Sequence, residues 1–108
     1  MNFFDLPKKL PEEELFETII PDNGVLIERI ISSGQTSPHG FWYDQERDEW
    51  VLLLQGEAIL QWEDNRETKL LAGEWVFIPA HTRHRVEYTS IQPPRIWLAV
   101  HGQLSAKV

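Results

Sequence analysis

From residue 15 onward the apolar residues come in short runs separated by polar turns. Leu15–Ile20, Val25–Ser32, Trp50–Leu54, Ala58–Trp62, Thr68–Leu71, Trp75–Ile78, His84–Tyr88 and Ile96–Val100 each read as a strand. The breaks between them carry turn residues: Pro21-Asp22-Asn23-Gly24, Gly34, Gly56, the hairpin tip Glu63-Asp64-Asn65-Arg66, Gly73 and Pro79. Seven or eight short strands with no sustained helical period predict an all-β sandwich or barrel. Ser33–Asp48 is the one long irregular stretch, and a loop of that length in a compact domain tends to serve function.

One strand has a pattern of its own. In Glu49-Trp50-Val51-Leu52-Leu53-Leu54, alternate side chains face opposite sides of a sheet. If Glu49 points inward, so do Val51 and Leu53, while Trp50, Leu52 and Leu54 point outward and are apolar too. A strand apolar on both faces is covered on both faces. The outer cover is expected to be a second copy of the chain, hence a homodimer. Residues 1–14 read as an arm with one helical turn. Its Phe3, Phe4, Leu6 and Leu10 should dock on the domain or on that second subunit.

Composition narrows the function classes. With 108 residues the chain forms a single domain, here an arm at 1–14 and a barrel at 15–108. Ten basic against seventeen acidic residues leave a net charge of -7, which disfavours nucleic acid and anionic membrane as partners. No apolar run approaches the ~20 residues of a membrane span. The absence of cysteine removes disulfides, thiolate ligands and cysteine nucleophiles, and leaves the cytoplasm as the default location.

Two spaced patterns carry the candidate chemistry. Glu49 is followed by six residues and Gly56. Gly73 is followed by five residues and Pro79, with His84 five positions later. Gly56 suits a sharp bend or a close backbone approach, and Gly73 suits a turn at positive φ. Pro79 ends a strand, and Ala80–Arg83 turn the chain so that His84 opens the next strand near the barrel mouth, with Val86 and Tyr88 on its face. A carboxylate facing a continuously apolar core needs a reason to be there. Its plain alternative is an ion pair with Arg47 or Arg85 at the barrel edge. A carboxylate and an imidazole converging on one cavity can bind a divalent metal or pass a proton.

Together the two patterns resemble the motifs of the cupin superfamily, over roughly residues 25–101. The resemblance implies a small double-stranded β-helix, or jelly-roll barrel, that often holds a divalent ion. The second motif departs at two positions: His81 stands where a glycine is usual, and Tyr88 where an asparagine is usual. The first motif lacks its His-x-His. Those two positions fall on Tyr43 and Gln45 with one spacing, or on Trp42 and Asp44 with the other. The metal-ligand candidates are therefore Glu49, His84, Gln45, Asp44, His39 and His81, for an ion such as Zn²⁺, Fe²⁺, Mn²⁺ or Ni²⁺. A small organic ligand would instead lie among Trp42, Tyr43, Phe77 and Tyr88. Phe41-Trp42-Tyr43 could be a lid or a plug at the barrel mouth. Trp50, Trp62, Trp75 and Trp97 read mostly as core or interface, and His101 as structural or exposed.

Two functions stay open. One is a binding module with a small-molecule pocket and a divalent-metal site around Glu49 and His84. The other is a metal-dependent enzyme of dioxygenase, isomerase or decarboxylase type acting on a small polar metabolite. No residue names a substrate or singles out a catalytic group.

Overall fold

A computed structural model describes residues 1–105. Eight strands form, all paired antiparallel: β1 (Leu15–Ile20), β2 (Val25–Ser32), β3 (Asp48–Gln55), β4 (Glu57–Trp62), β5 (Glu67–Leu71), β6 (Trp75–Ile78), β7 (His84–Thr89) and β8 (Arg95–Gly102). The segments expected from patterning recur within one or two residues at each end. The last three residues of the expected barrel, 106–108, lie outside the described residues. The described residues contain no helix, so none is long and apolar enough to cross a membrane.

The strands make two sheets. Five strands run in the order β1-β2-β8-β3-β6, and three in the order β5-β4-β7. The facing sides supply the core: Ile30, Val51, Leu53, Ala58, Leu60, Leu70, Ile78, Trp97 and Ala99. These alternate with outward residues, as a period of two requires. Val51 and Leu53 point in, while Trp50 and Leu52 pair outward with Phe77 and Trp75 of β6.

Turn chemistry explains the corners. Gly56 and Gly73 both sit at positive φ, +89° and +91°. At Gly56 a Cβ would also lie 2.6 Å from Ser90 Oγ and 3.1 Å from Arg95 Cα, so the close backbone approach is real. His81, in the place of a usual glycine, keeps the left-handed conformation at φ 60°.

The arm contains a single tight turn rather than a helical one, closed by Asp5 N–H on the Asn2 carbonyl at 3.1 Å. It docks on its own domain. Arg29, 4% exposed, donates through Nη1 to the carbonyls of Phe3 (3.1 Å) and Asp5 (2.7 Å), and pairs with Glu17 at 2.6 Å. A buried guanidinium thus gathers main-chain oxygens that would otherwise face a sheet.

Candidate functional site

A cavity of about 90 Å³ lies between the two sheets at the barrel mouth. That is room for a few waters or one small ligand. Glu49 enters from β3 and His84 from β7. His84 Nε2 lies 3.8 Å from Glu49 Oε1, and both side chains are buried. Their placement follows from register. Glu49 pairs with Ile78 and His101, at the mouth-side end of the apolar run Val51–Leu53.

His84 is held in one orientation. Its Nδ1 lies 2.8 Å from the Thr82 carbonyl, which can only accept, so Nδ1 carries the proton and Nε2 is the atom aimed at Glu49. Burial pushes the imidazole below its ordinary 6.5, with the Thr82 contact opposing. Burial likewise pushes Glu49 above its ordinary 4.5; His101 opposes this, and Glu28 and Glu14 add to it. Neither Glu49 nor His84 Nε2 has a hydrogen-bond partner among the described residues. The alternative partners for Glu49 are engaged elsewhere: Arg47 pairs with Asp22 at 2.9 Å and Arg85 with Glu87 at 2.6 Å.

The loop Ser33–Asp48 builds one wall. Tyr43 and His84 exchange main-chain hydrogen bonds at 2.7 and 3.2 Å, and their rings stack at 5.5 Å. That pairing turns Tyr43 and Gln45 into the cavity. Trp42 and Asp44, on the opposite parity, do not line it. Trp42 is half-buried, and Asp44 forms a surface pair with His81 at 2.9 Å. His39 is exposed in the same loop. Of the six candidate ligands, then, Glu49, His84 and Gln45 share the cavity, while Asp44, His39 and His81 stay outside it.

Two of the expected aromatic walls are elsewhere. Phe77 pairs with Trp50 on the outer face of its sheet, because Ile78 takes the inward position. Tyr88 is 44% exposed. A bulge in β7 accounts for it: Leu60 pairs with Val86, but Ile59 pairs with Tyr88 and Ala58 with Thr89. The extra residue reverses the alternation beyond Val86, so Thr89 turns in and Tyr88 turns out. Of the four expected contacts, Tyr43 alone lines the cavity.

Patterning missed four polar residues there. His101 reaches in from β8, with Nε2 2.8 Å from Glu28 Oε1 and 3.6 Å from Glu49 Oε2, so of its two expected settings it is not the exposed one. Arg95, 1% exposed, binds Glu14 and Ser32 and lies 4.7 Å over the Trp97 ring. Trp97 is itself a wall of the cavity. The readable signal was the period of two along β8: Arg95, Trp97, Ala99 and His101 share one face.

These residues were tested against a divalent ion, which the cupin resemblance implies. Glu49 and His84 Nε2 are two good donors, and fixing Nδ1 on a carbonyl is how ligand imidazoles are oriented. Gln45 Oε1 is buried without a hydrogen-bond partner among the described residues and could be a third. The remaining position holds Tyr43, whose hydroxyl is pushed above its ordinary 10.0 by burial and the nearby Glu14 and Glu49 charges, leaving it a neutral phenol. Among the described residues no three His, Cys, Asp or Glu side chains are grouped to hold one ion. The second imidazole in the cavity, His101, has its Nε2 engaged by Glu28, and the remaining carboxylate, one imidazole and neutral amide do not make a tight transition-metal shell.

Sequence and structure comparisons agree on the family. The cupin-domain family profile matches residues 29–101. The chain is a cupin. A solved structure of a putative mannose-6-phosphate isomerase from Ralstonia eutropha JMP134 is 45% identical, covers 95% of this chain and 96% of its own, and superposes with a TM-score of 0.88. A cupin superfamily protein from Desulfitobacterium hafniense DCB-2 shares the fold at 17% identity, with 90% of this cupin and 84% of that chain covered and a TM-score of 0.74. The TT1209 protein of Thermus thermophilus does so at 22% identity, 91% and 90% coverage, and a TM-score of 0.73. No curated protein sequence matches this cupin.

Proposed function

We propose that this cupin binds a small organic molecule in the barrel cavity, with Glu49 and His84 as the polar end that meets it. The supporting observation is the facing pair itself: a carboxylate and a bare imidazole nitrogen 3.8 Å apart, both buried, neither hydrogen-bonded to the described residues. Burying two such groups costs stability unless a ligand engages them. Burial pushes the carboxyl up and the imidazole down, which brings their proton affinities closer together and suits passing a proton between them. The test is a ¹H–¹⁵N NMR titration with a small-molecule library of mixed charge. Shifts clustered at Tyr43, Val51, Val86 and Trp97 are expected. Silence at those residues across the whole library would reject the reading.

An enzyme of isomerase type is the second reading, favoured by the 45% identity to the Ralstonia protein. An isomerisation that moves a proton between neighbouring carbons needs one base and one acid, roles that Glu49 and His84 could share. A metal-dependent version requires an ion despite the weak donor set. Metal analysis of untagged protein separates the versions. Near-stoichiometric metal that is lost in Glu49→Gln and His84→Ala would favour the metal enzyme.

The same proposal includes a homodimer and a cytoplasmic location. Trp50, Leu52, Phe77, Leu98 and Val100 make a half-buried apolar outer face beside Trp75, which is 60% exposed. A second copy covering that face would account for it. The cysteine-free sequence is compatible with a reducing compartment.

A further inference from the structure

We infer that the cavity selects a small organic cation, an alkylammonium or arylammonium group, and discriminates against phosphorylated or carboxylated molecules. The inference rests on the reading of the cavity as a ligand site and adds the chemical class. Three carboxylates line the cavity, Glu14, Glu28 and Glu49; Glu14 is paired with Arg95 and Glu28 with His101, which leaves the Glu49 carboxylate without a hydrogen-bond partner among the described residues. Arg95 is already engaged by Glu14 and Ser32 and stacked on Trp97. Its charge is therefore already balanced by Glu14, while Nε and Nη1 have no hydrogen-bond partner among the described residues.

Glu49 is the independent sign of a ligand. It is 7% exposed, the basic nitrogens of His101 and His84 are 3.6 and 3.8 Å from its carboxylate, and no donor among the described residues hydrogen-bonds to that carboxylate. An ammonium group brings several N–H donors and a positive charge to the same point. Tyr43, Phe16 and Trp97 border the same space, and aromatic faces attract cations.

The approach to the cavity has the same sign. A groove of about 240 Å³ is lined by Glu12, Glu13 and Glu14 together with Gln35 and Pro38. Glu14, Tyr43 and Val86 border both spaces, so the groove adjoins the cavity. Among the described residues no lysine or arginine lines the groove. A cleft lined by one sign of charge concentrates ligands of the other.

Calorimetric and NMR titrations of the full chain compare two probes of matched shape and opposite charge, phenethylamine and phenylacetate. 1,4-Diaminobutane and mannose 6-phosphate serve as a second pair. The amines are expected to bind, shifting cavity residues. Glu49→Gln should weaken them about tenfold or more, the usual scale for losing a charge-assisted contact. A second variant, away from the buried carboxylate, tests the charge of the approach separately. The double variant Glu12→Gln/Glu13→Gln changes two exposed side chains and should leave folding intact while weakening amine binding about threefold and flattening its salt dependence. Tighter binding of phenylacetate or mannose 6-phosphate than of the amines overturns the inference. So does amine binding that is indifferent to both sets of substitutions. If neutral or anionic fragments shift the cavity residues while amines do not, the cation assignment falls and the small-molecule reading survives. If nothing shifts them, both fall.

Discussion

Glu14→Gln should be the most informative single change in this cupin, because it strands a charge in the core. Arg95 is 1% exposed and Glu14 is its carboxylate partner, 19% exposed. Burial lowers the guanidinium to about 10, with Glu14 and Tyr43 opposing that shift, so Arg95 stays charged at neutral pH. Its Nε and Nη1 have no hydrogen-bond partner among the described residues. Without the carboxylate, the Ser32 hydroxyl and the Trp97 ring remain as its compensation. Breaking a buried pair from one side costs about 3–5 kcal/mol. The partial exposure of Glu14 lowers this to about 2–4 kcal/mol. For a domain of this size each kcal/mol moves Tm by about 4–8 °C, so the melt should fall by roughly 8–30 °C. Replacing the pair together, Glu14→Gln with Arg95→Met, removes the stranded charge and should recover most of the loss. Urea unfolding followed by tryptophan fluorescence measures both variants. A Glu14→Gln loss below about 0.5 kcal/mol, or a double variant no more stable than Glu14→Gln alone, would refute the reasoning.

Three further outcomes are expected. Gly56→Ala combines an unfavourable φ with a Cβ 3.1 Å from the Arg95 backbone, and should lose about 2 kcal/mol or more, whereas Gly24→Ala, at similar φ but with nothing within 4 Å, should lose less; paired urea titrations decide. Glu49 has a folded pKa raised above its unfolded value, so its charge costs stability above that raised value and the cost fades as pH falls towards 4.5; Glu49→Gln should therefore stabilise the chelator-treated protein at pH 7.5 and lose that advantage near pH 4, as read by melts across pH. Light scattering at about 50 µM should find a dimer that Trp75→Arg converts to monomer, and a monomeric parent would remove the dimer proposal.

The pH profile has a second component of opposite sign at lower pH. Asp48 accepts from the main-chain N–H of Ala80, Leu104 and Ser105 and from the Ser105 hydroxyl, at 2.8–3.0 Å. These donors, Ala80 foremost, hold its carboxyl at about 2. Its contribution is present above 3.8 and is lost as pH falls from there towards 2. Acid unfolding should begin in that window, and Asp48→Ala should remove this part of the dependence.

Strand positions, turns and the inward face of β3 could be read along the chain, because apolar alternation and turn residues act locally. The meeting of Glu49 with His84 was legible too, since each is placed by a glycine or proline a fixed distance away. The orientation of Tyr88 was not. One extra residue in β7 inverts every side chain after Val86, and that bulge exists only because β4 sets the register opposite. Phe77 faces outward because Trp50 pairs with it across β3 and β6, a partnership that period two along one strand cannot reveal. His101, Glu28, Arg95 and Glu14 come from two strands and the arm's end, far apart in sequence. Local chemistry chose the elements of this cupin. Which charges share its cavity was settled by long-range pairing, because a buried carboxylate acquires its meaning from neighbours that only folding brings within a few ångströms.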